Sequence, residues 1–154
     1  MLPDEKNDLL YLLNMLEYIG KIWKYTEQTN DAEELFERND QMNLNASLTL
    51  LANIGENASK ITEKLKQEYP TVEWQRIKHF RNRVVHDYAG INLAIVYEII
   101  TVDLKRLKSE IEKIILEKTD QKKIDIDEIK ISKESKFYRH IDFGKIMLNG
   151  DLED

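Results

Sequence analysis

Apolar residues recur along most of this chain at three- and four-residue spacing. Leu9, Leu12, Leu13, Leu16, Ile19 and Trp23 form one stripe and predict a helix over about 4–26. The run T-N-D-A-E-E then reads as a helix start. Asp31 is placed to cap the first turn and Glu34 to answer it, which predicts a short helix over 32–38. Leu44, Leu48, Leu51, Ile54, Ala58, Ile61 and Leu65 predict a second long helix over about 40–68, ended by Pro70. Gly55 stands inside it at some cost in propensity, which points to a close approach of another helix.

Thr71 is a candidate cap for a third helix from Val72, with Trp74, Ile77, Phe80, Val84 and Val85 on its buried side and Gly90 near its end. Asn92 caps a fourth long helix over about 93–118. Its stripe is Val96, Ile99, Ile100, Leu104, Leu107, Ile111, Ile114 and Ile115. Four main helices and one short helix with brief links predict an all-α, antiparallel up-down bundle spanning residues 1–118.

Residues 119–154 break the pattern. Apolar and polar positions alternate at Ile124 and Ile126 and again at Ile129 and Ile131, which predicts extended chain. Phe137, Tyr138, Ile141, Phe143, Ile146, Met147 and Leu148 are too many apolar groups for a solvated tail. An extended C-terminal arm that packs on the bundle, on a second copy or on a partner is expected.

Composition agrees with long helices, because five Gly and two Pro among 154 residues leave little material for tight turns. The absence of cysteine excludes disulfides, thiol nucleophiles and zinc–thiolate sites. Three histidines leave little for a multi-histidine metal centre, so no metal and no cofactor is expected. No apolar run reaches the ~18 residues of a membrane span. The opening M-L-P-D-E-K lacks a signal peptide's basic and apolar regions, which sets a cytoplasmic location as the expectation.

The net charge of −6 hides a local excess of the opposite sign. Residues 60–88 hold seven Lys/Arg against four Asp/Glu, whereas residues 1–59 hold four against eleven. A basic stretch on an acidic body can grip a few phosphates without binding every polyanion.

That stretch ends in R-N-R-V-V-H-D-Y at 81–88. Arg81 and His86 join a phosphate clamp to a side chain that moves protons near neutral pH. On a helix the two are about 140° apart around the axis, within an arginine's reach. Asn82 shares a face with His86 and can hydrogen-bond substrate or orient the imidazole, and Arg83 faces solvent or phosphate. An R-x-x-x-x-H pair also arises by chance in many chains. His79 lies on nearly the same face as His86, with a structural role as its ordinary reading. Arg139-His140 repeats the residue types in the arm.

RNA brings its own nucleophile, the 2′-hydroxyl, so cleavage needs a base, an acid and charge stabilisation but no metal. One histidine cannot serve as base and acid at once. A two-fold dimer that joins two copies of the segment in one cleft would supply both, so a homodimer is expected.

The order I-G-E-N-A-S-K at 54–60, Y-P at 69–70, W-Q-R-I at 74–77 and R-N-R-V-V-H-D-Y at 81–88 resembles the HepT-like proteins of the HEPN superfamily. The resemblance covers roughly residues 4–116. It implies a dimeric helical bundle with metal-independent endoribonuclease activity, acting as the toxin of a type VII (HEPN/MNT) toxin–antitoxin pair. It implies Arg81 and His86 as the catalytic pair and Asn82 as the polar residue beside them. It also implies Tyr88 as the tyrosine that a partner nucleotidyltransferase antitoxin modifies with AMP. Two features depart from the family pattern: the extension 119–154, and K-H-F before Arg81, where an apolar or small residue is more usual. A non-catalytic bundle that binds a nucleotidyltransferase or a nucleotide is the alternative.

Overall fold

The computed structural model describes residues 1–80, 82 and 92–152. Among these every regular element is helical. α1 spans Pro3–Thr26, α2 Ala32–Glu37, α3 Met42–Lys60, α4 Glu63–Glu68 and α5 Trp74–Lys78. α6 spans Leu93–Glu98, and one turn of π-helix over Ile99–Asp103 joins it to α7, Leu104–Asp120. α8 spans Ile126–Lys133, and two 3-10 turns follow at Phe143–Lys145 and Asn149–Asp151.

The caps explain several boundaries. Asp31 accepts from the Glu34 N–H at 2.8 Å, while Glu34 answers one residue early, on the Asn30 N–H. Asn92 accepts from the Ile95 N–H and opens α6. Between α2 and α3 the chain turns through three successive left-handed residues, Asn39, Asp40 and Gln41, which separates the two helices.

α1 and α3 are antiparallel. The Tyr25 carbonyl accepts from Asn43 at one end, Asn14 meets Asn57 midway, and Asp8 meets Thr62 at the other end. α7 also opposes α1: Trp23 donates to the Ile100 carbonyl at one end, and Leu12 and Ile114 line one cavity near the other. The core between these helices holds Leu9, Leu12, Leu13, Leu16 and Ile19 of α1, and Leu44, Leu51, Ile54 and Ala58 of α3. All eight apolar residues of the fourth stripe are buried in it. Burying each large aliphatic side chain stabilises the fold by about 1.5–3 kcal/mol before entropy is charged.

Three sequence expectations need correction. The second long helix does not reach residue 68, because it stops at Lys60 and α4 restarts after Thr62. Thr62 is extended and caps α4 with its own hydroxyl, and the Asp8 carboxylate takes its N–H (2.9 Å) and its O–H (2.6 Å). A partner on α1 thus captures the donor that would have continued the helix. The third helix begins at Trp74 rather than Val72, with Glu73 rather than Thr71 at its N-cap. Residues 126–133 are helical, not extended. Asp125 caps them, and Ile126 and Ile129, three apart, face inward while Ile131 points out. The alternation there was two short coincidences of a helical period.

Beyond α8 the chain lies against α1. Glu17, 2% exposed, accepts from the backbone N–H groups of Arg139 (2.6 Å) and His140 (2.8 Å). His140 Nδ1 stands 3.0 Å from the same carboxylate. A Cβ at Gly20 would lie 2.5 Å from the His140 carbonyl oxygen, so only glycine admits the strand of chain there. Ile124, Ile129, Phe143, Ile146 and Met147 join the main core. No helix among the described residues is long and apolar enough to cross a membrane.

Candidate functional site

The segment that carries the candidate chemistry is launched from α5, and α3 decides where α5 sits. At Gly55 a Cβ would stand 2.9 Å from the Lys78 carbonyl oxygen and 3.0 Å from that of Ile77. The missing side chain is what lets the backbone of α5 rest on α3. Trp74, Ile77 and Phe80 are buried beneath it, and the Trp74 indole N–H donates to the Tyr69 carbonyl at 3.1 Å. The opposite face presents Gln75, Lys78, His79 and Asn82 to solvent.

His79 occupies the C-cap of α5, and Asn82, also described and helical, lies three positions on. The Asn82 Nδ2 group stands 3.2 Å from His79 Nδ1. An amide nitrogen only donates, so in this contact the imidazole accepts at Nδ1. Arg81, Arg83, His86 and Tyr88 lie outside the described residues, so Asn82 is the one predicted site residue whose contacts are on view. Its partner is His79, a residue for which the sequence favoured a structural role. The i, i+3 spacing of the two was the signal available in the sequence.

The charge around α5 is sorted. Arg76 donates to both oxygens of Asp103 at 3.1–3.3 Å and is neutralised there. Lys66 lies 3.7 Å from Glu63, and Lys118 pairs with Glu68. Lys78 makes no ion pair among the described residues, and it and His79 shortly precede the segment in sequence.

Two cavities among the described residues leave out Gln75 and Lys78 of the outer face of α5. One of about 290 Å³ beside Phe80 is lined by Glu73, Glu98, Asp103 and Glu110 against Arg76 and Arg106, an environment that repels a polyanion. The other, about 470 Å³, lies at the start of α1 over Leu12, Leu65, Ile114 and Ile124. Asp8 lines it; burial raises its carboxyl above the ordinary range, against the two Thr62 hydrogen bonds. Neither cavity includes His79 or Asn82. Burial and the Glu117 carboxylate likewise push the Tyr69 hydroxyl up. No cluster of three metal-ligating side chains occurs among the described residues.

With this geometry in hand, comparison with known proteins is specific. Residues 15–114 match the family described as Ribonuclease HepT-like. A protein of Methanocaldococcus jannaschii named "Putative RNase MJ1216" is 28% identical over 68% of this chain and 84% of its own length. A second from that organism, "Putative RNase MJ0125", is 29% identical over 68% of this chain and 88% of its own. "Probable ribonuclease HepT" of Thermococcus cleftensis is 25% identical over 68% and 92% respectively. No solved structure matches the chain.

Proposed function

Because the chain belongs to the HepT-like ribonuclease family, we propose that it is a metal-independent endoribonuclease whose reacting groups are Arg81 and His86. One observation carries this reading: R-N-R-V-V-H-D-Y falls within the matched residues, just after an α5 whose outer face holds Gln75 and Lys78 and whose C-cap is His79.

The reaction uses the 2′-hydroxyl of RNA. A histidine takes its proton as the 2′-oxygen bonds to phosphorus, and the bond to the 5′-oxygen breaks. A second histidine, from the other subunit of a two-fold dimer, protonates the leaving 5′-oxygen. Arg81 holds the phosphate and stabilises the charge that builds on it, and Arg83 and Asn82 help to hold the strand. The products are a 2′,3′-cyclic phosphate and a 5′-hydroxyl.

In this reading the protein is the toxin of a toxin–antitoxin pair. A nucleotidyltransferase partner silences it by adding AMP to Tyr88, two residues past His86. The adenylate adds bulk and negative charge beside the phosphate clamp and excludes RNA without unfolding the bundle.

The test is the end chemistry of the products. Purified protein incubated with single-stranded RNA in EDTA should yield cyclic phosphate ends, and a 2′-deoxy substitution at the cleaved position should block the cut. Cleavage of that substituted strand, or products with 5′-phosphate ends, would reject the mechanism.

A further inference from the structure

Phe137 is 82% exposed, the highest value for a large apolar side chain among the described residues. Its backbone is nonetheless pinned on both sides. The Phe137 N–H donates to Ser135 Oγ at 3.2 Å, and the Tyr138 hydroxyl donates to Asn14 at 2.8 Å. The next two N–H groups are held by the buried Glu17. The ring is thus presented to solvent by a fixed scaffold, and it forgoes the burial that Phe80 and Phe143 obtain.

The neighbouring sequence is cationic. Residues 130–140 hold four Lys/Arg against one Asp/Glu on a chain of net charge −6. Lys133, Lys136 and Arg139 are exposed and make no ion pair among the described residues. Protein-docking patches are depleted in lysine at their centres. An exposed aromatic ring flanked by cations is instead the footprint of single-stranded nucleic acid, whose bases stack on the ring while its phosphates meet the charges.

We propose that Phe137, with Lys133, Lys136 and Arg139, is an accessory anchor for single-stranded RNA. It rests on the ribonuclease reading for its ligand. It lies outside the matched residues 15–114, so it is a feature of this chain's own extension. One base stacks on Phe137 and neighbouring phosphates bind the three cations. The anchor holds a long strand and leaves the chemistry to the segment after α5, so its effect falls on long substrates alone.

The experiment measures binding and cleavage separately on the full chain. Fluorescence anisotropy with the His86→Ala protein and a labelled single-stranded RNA of about 20 nucleotides reads binding without turnover; that length exceeds the ~4–16 nucleotides a single-strand site covers. Phe137→Ala in that background should weaken binding about tenfold, and Phe137→Trp should retain it. Changing both Lys133 and Lys136 to Gln should flatten the slope of log affinity against log salt by about 1.4. In the otherwise unsubstituted protein, Phe137→Ala should lower kcat/KM on the long strand and leave cleavage of a dinucleotide unchanged.

Unchanged RNA affinity in Phe137→Ala overturns the anchor, as does unchanged affinity accompanied by loss of self-association, which would make the ring a protein contact. Binding that depends on Phe137 in a protein that never cuts RNA overturns the ribonuclease reading and leaves the anchor standing. With its ring in solvent, Phe137→Ala should keep the unfolding temperature of the unsubstituted protein.

Discussion

The carboxamide of Asn82 donates to Nδ1 of His79 across 3.2 Å, just beyond the end of α5 and within the candidate segment. That bond orients the imidazole, which stands two residues before Arg81 in sequence. His79→Ala should therefore lower kcat/KM for RNA by about tenfold, the size of one hydrogen bond to a charged phosphate. His79→Gln should recover most of it, since its amide nitrogen reaches the place of Nε2. Asn82→Ala should resemble His79→Ala. Full activity in His79→Ala would remove the imidazole from the RNA groove.

Gly55 is where the core reaches the site. An alanine there gains up to about 1 kcal/mol in helix propensity but presses on two backbone carbonyls, and overpacking of that kind costs about 1–3 kcal/mol. The obstructing atoms belong to main chain, at 2.9 and 3.0 Å, so α5 must shift. Gly55→Ala should lower stability in urea by about 1 kcal/mol and Gly55→Val by more. Both should reduce RNA cleavage beyond what the loss of folded protein explains. A more stable Gly55→Ala would show that the helices are not in this contact.

Glu17 holds the C-terminal arm. Removing a buried acceptor of several N–H groups costs about 3 kcal/mol, because the donors are left dry and unpaired. Glu17→Ala should lose about that much stability. Hydrogen exchange should rise first in residues 134–148, with α3 still protected. Uniform exchange across the chain would mean that the arm and bundle open as one unit.

Tyr138 gives a signature in alkali. Burial, then the neighbouring Tyr18 and Glu17, push its hydroxyl up from 10 to about 12. The folded state therefore holds this proton more tightly than the unfolded state does. The resulting stability is present below pH 10 and is lost as pH rises towards 12. Tyr138→Phe gives up the bond to Asn14, about 1 kcal/mol, at neutral pH. Between pH 10 and about 12 its stability should fall less steeply than that of the unsubstituted protein. Parallel slopes in thermal melts would contradict the shift.

The helical architecture was legible because its signals are local. The stripe from Val96 to Ile115 entered the core whole, and Asp31 and Asn92 cap where their side chains allow. What escaped depended on residues far apart in sequence. The break after Lys60 comes from Asp8, 54 positions away from Thr62. The fixed course of the arm comes from Glu17, more than a hundred positions before His140. In the site, the types and order of Arg81, Asn82, Arg83, His86 and Tyr88 were readable. The pairing of Asn82 with His79 was not, because an exposed histidine at a helix end is ambiguous until its partner is seen.

The central claim meets its most direct test in cleavage of single-stranded RNA in EDTA by the unsubstituted and His86→Ala proteins, at equal concentration of folded protein. The unsubstituted protein should cut, and His86→Ala should lose at least about a hundredfold in rate, the contribution of one general acid–base group, while keeping its circular dichroism. Equal cleavage by the two, or none by the unsubstituted protein, would contradict a histidine-driven ribonuclease.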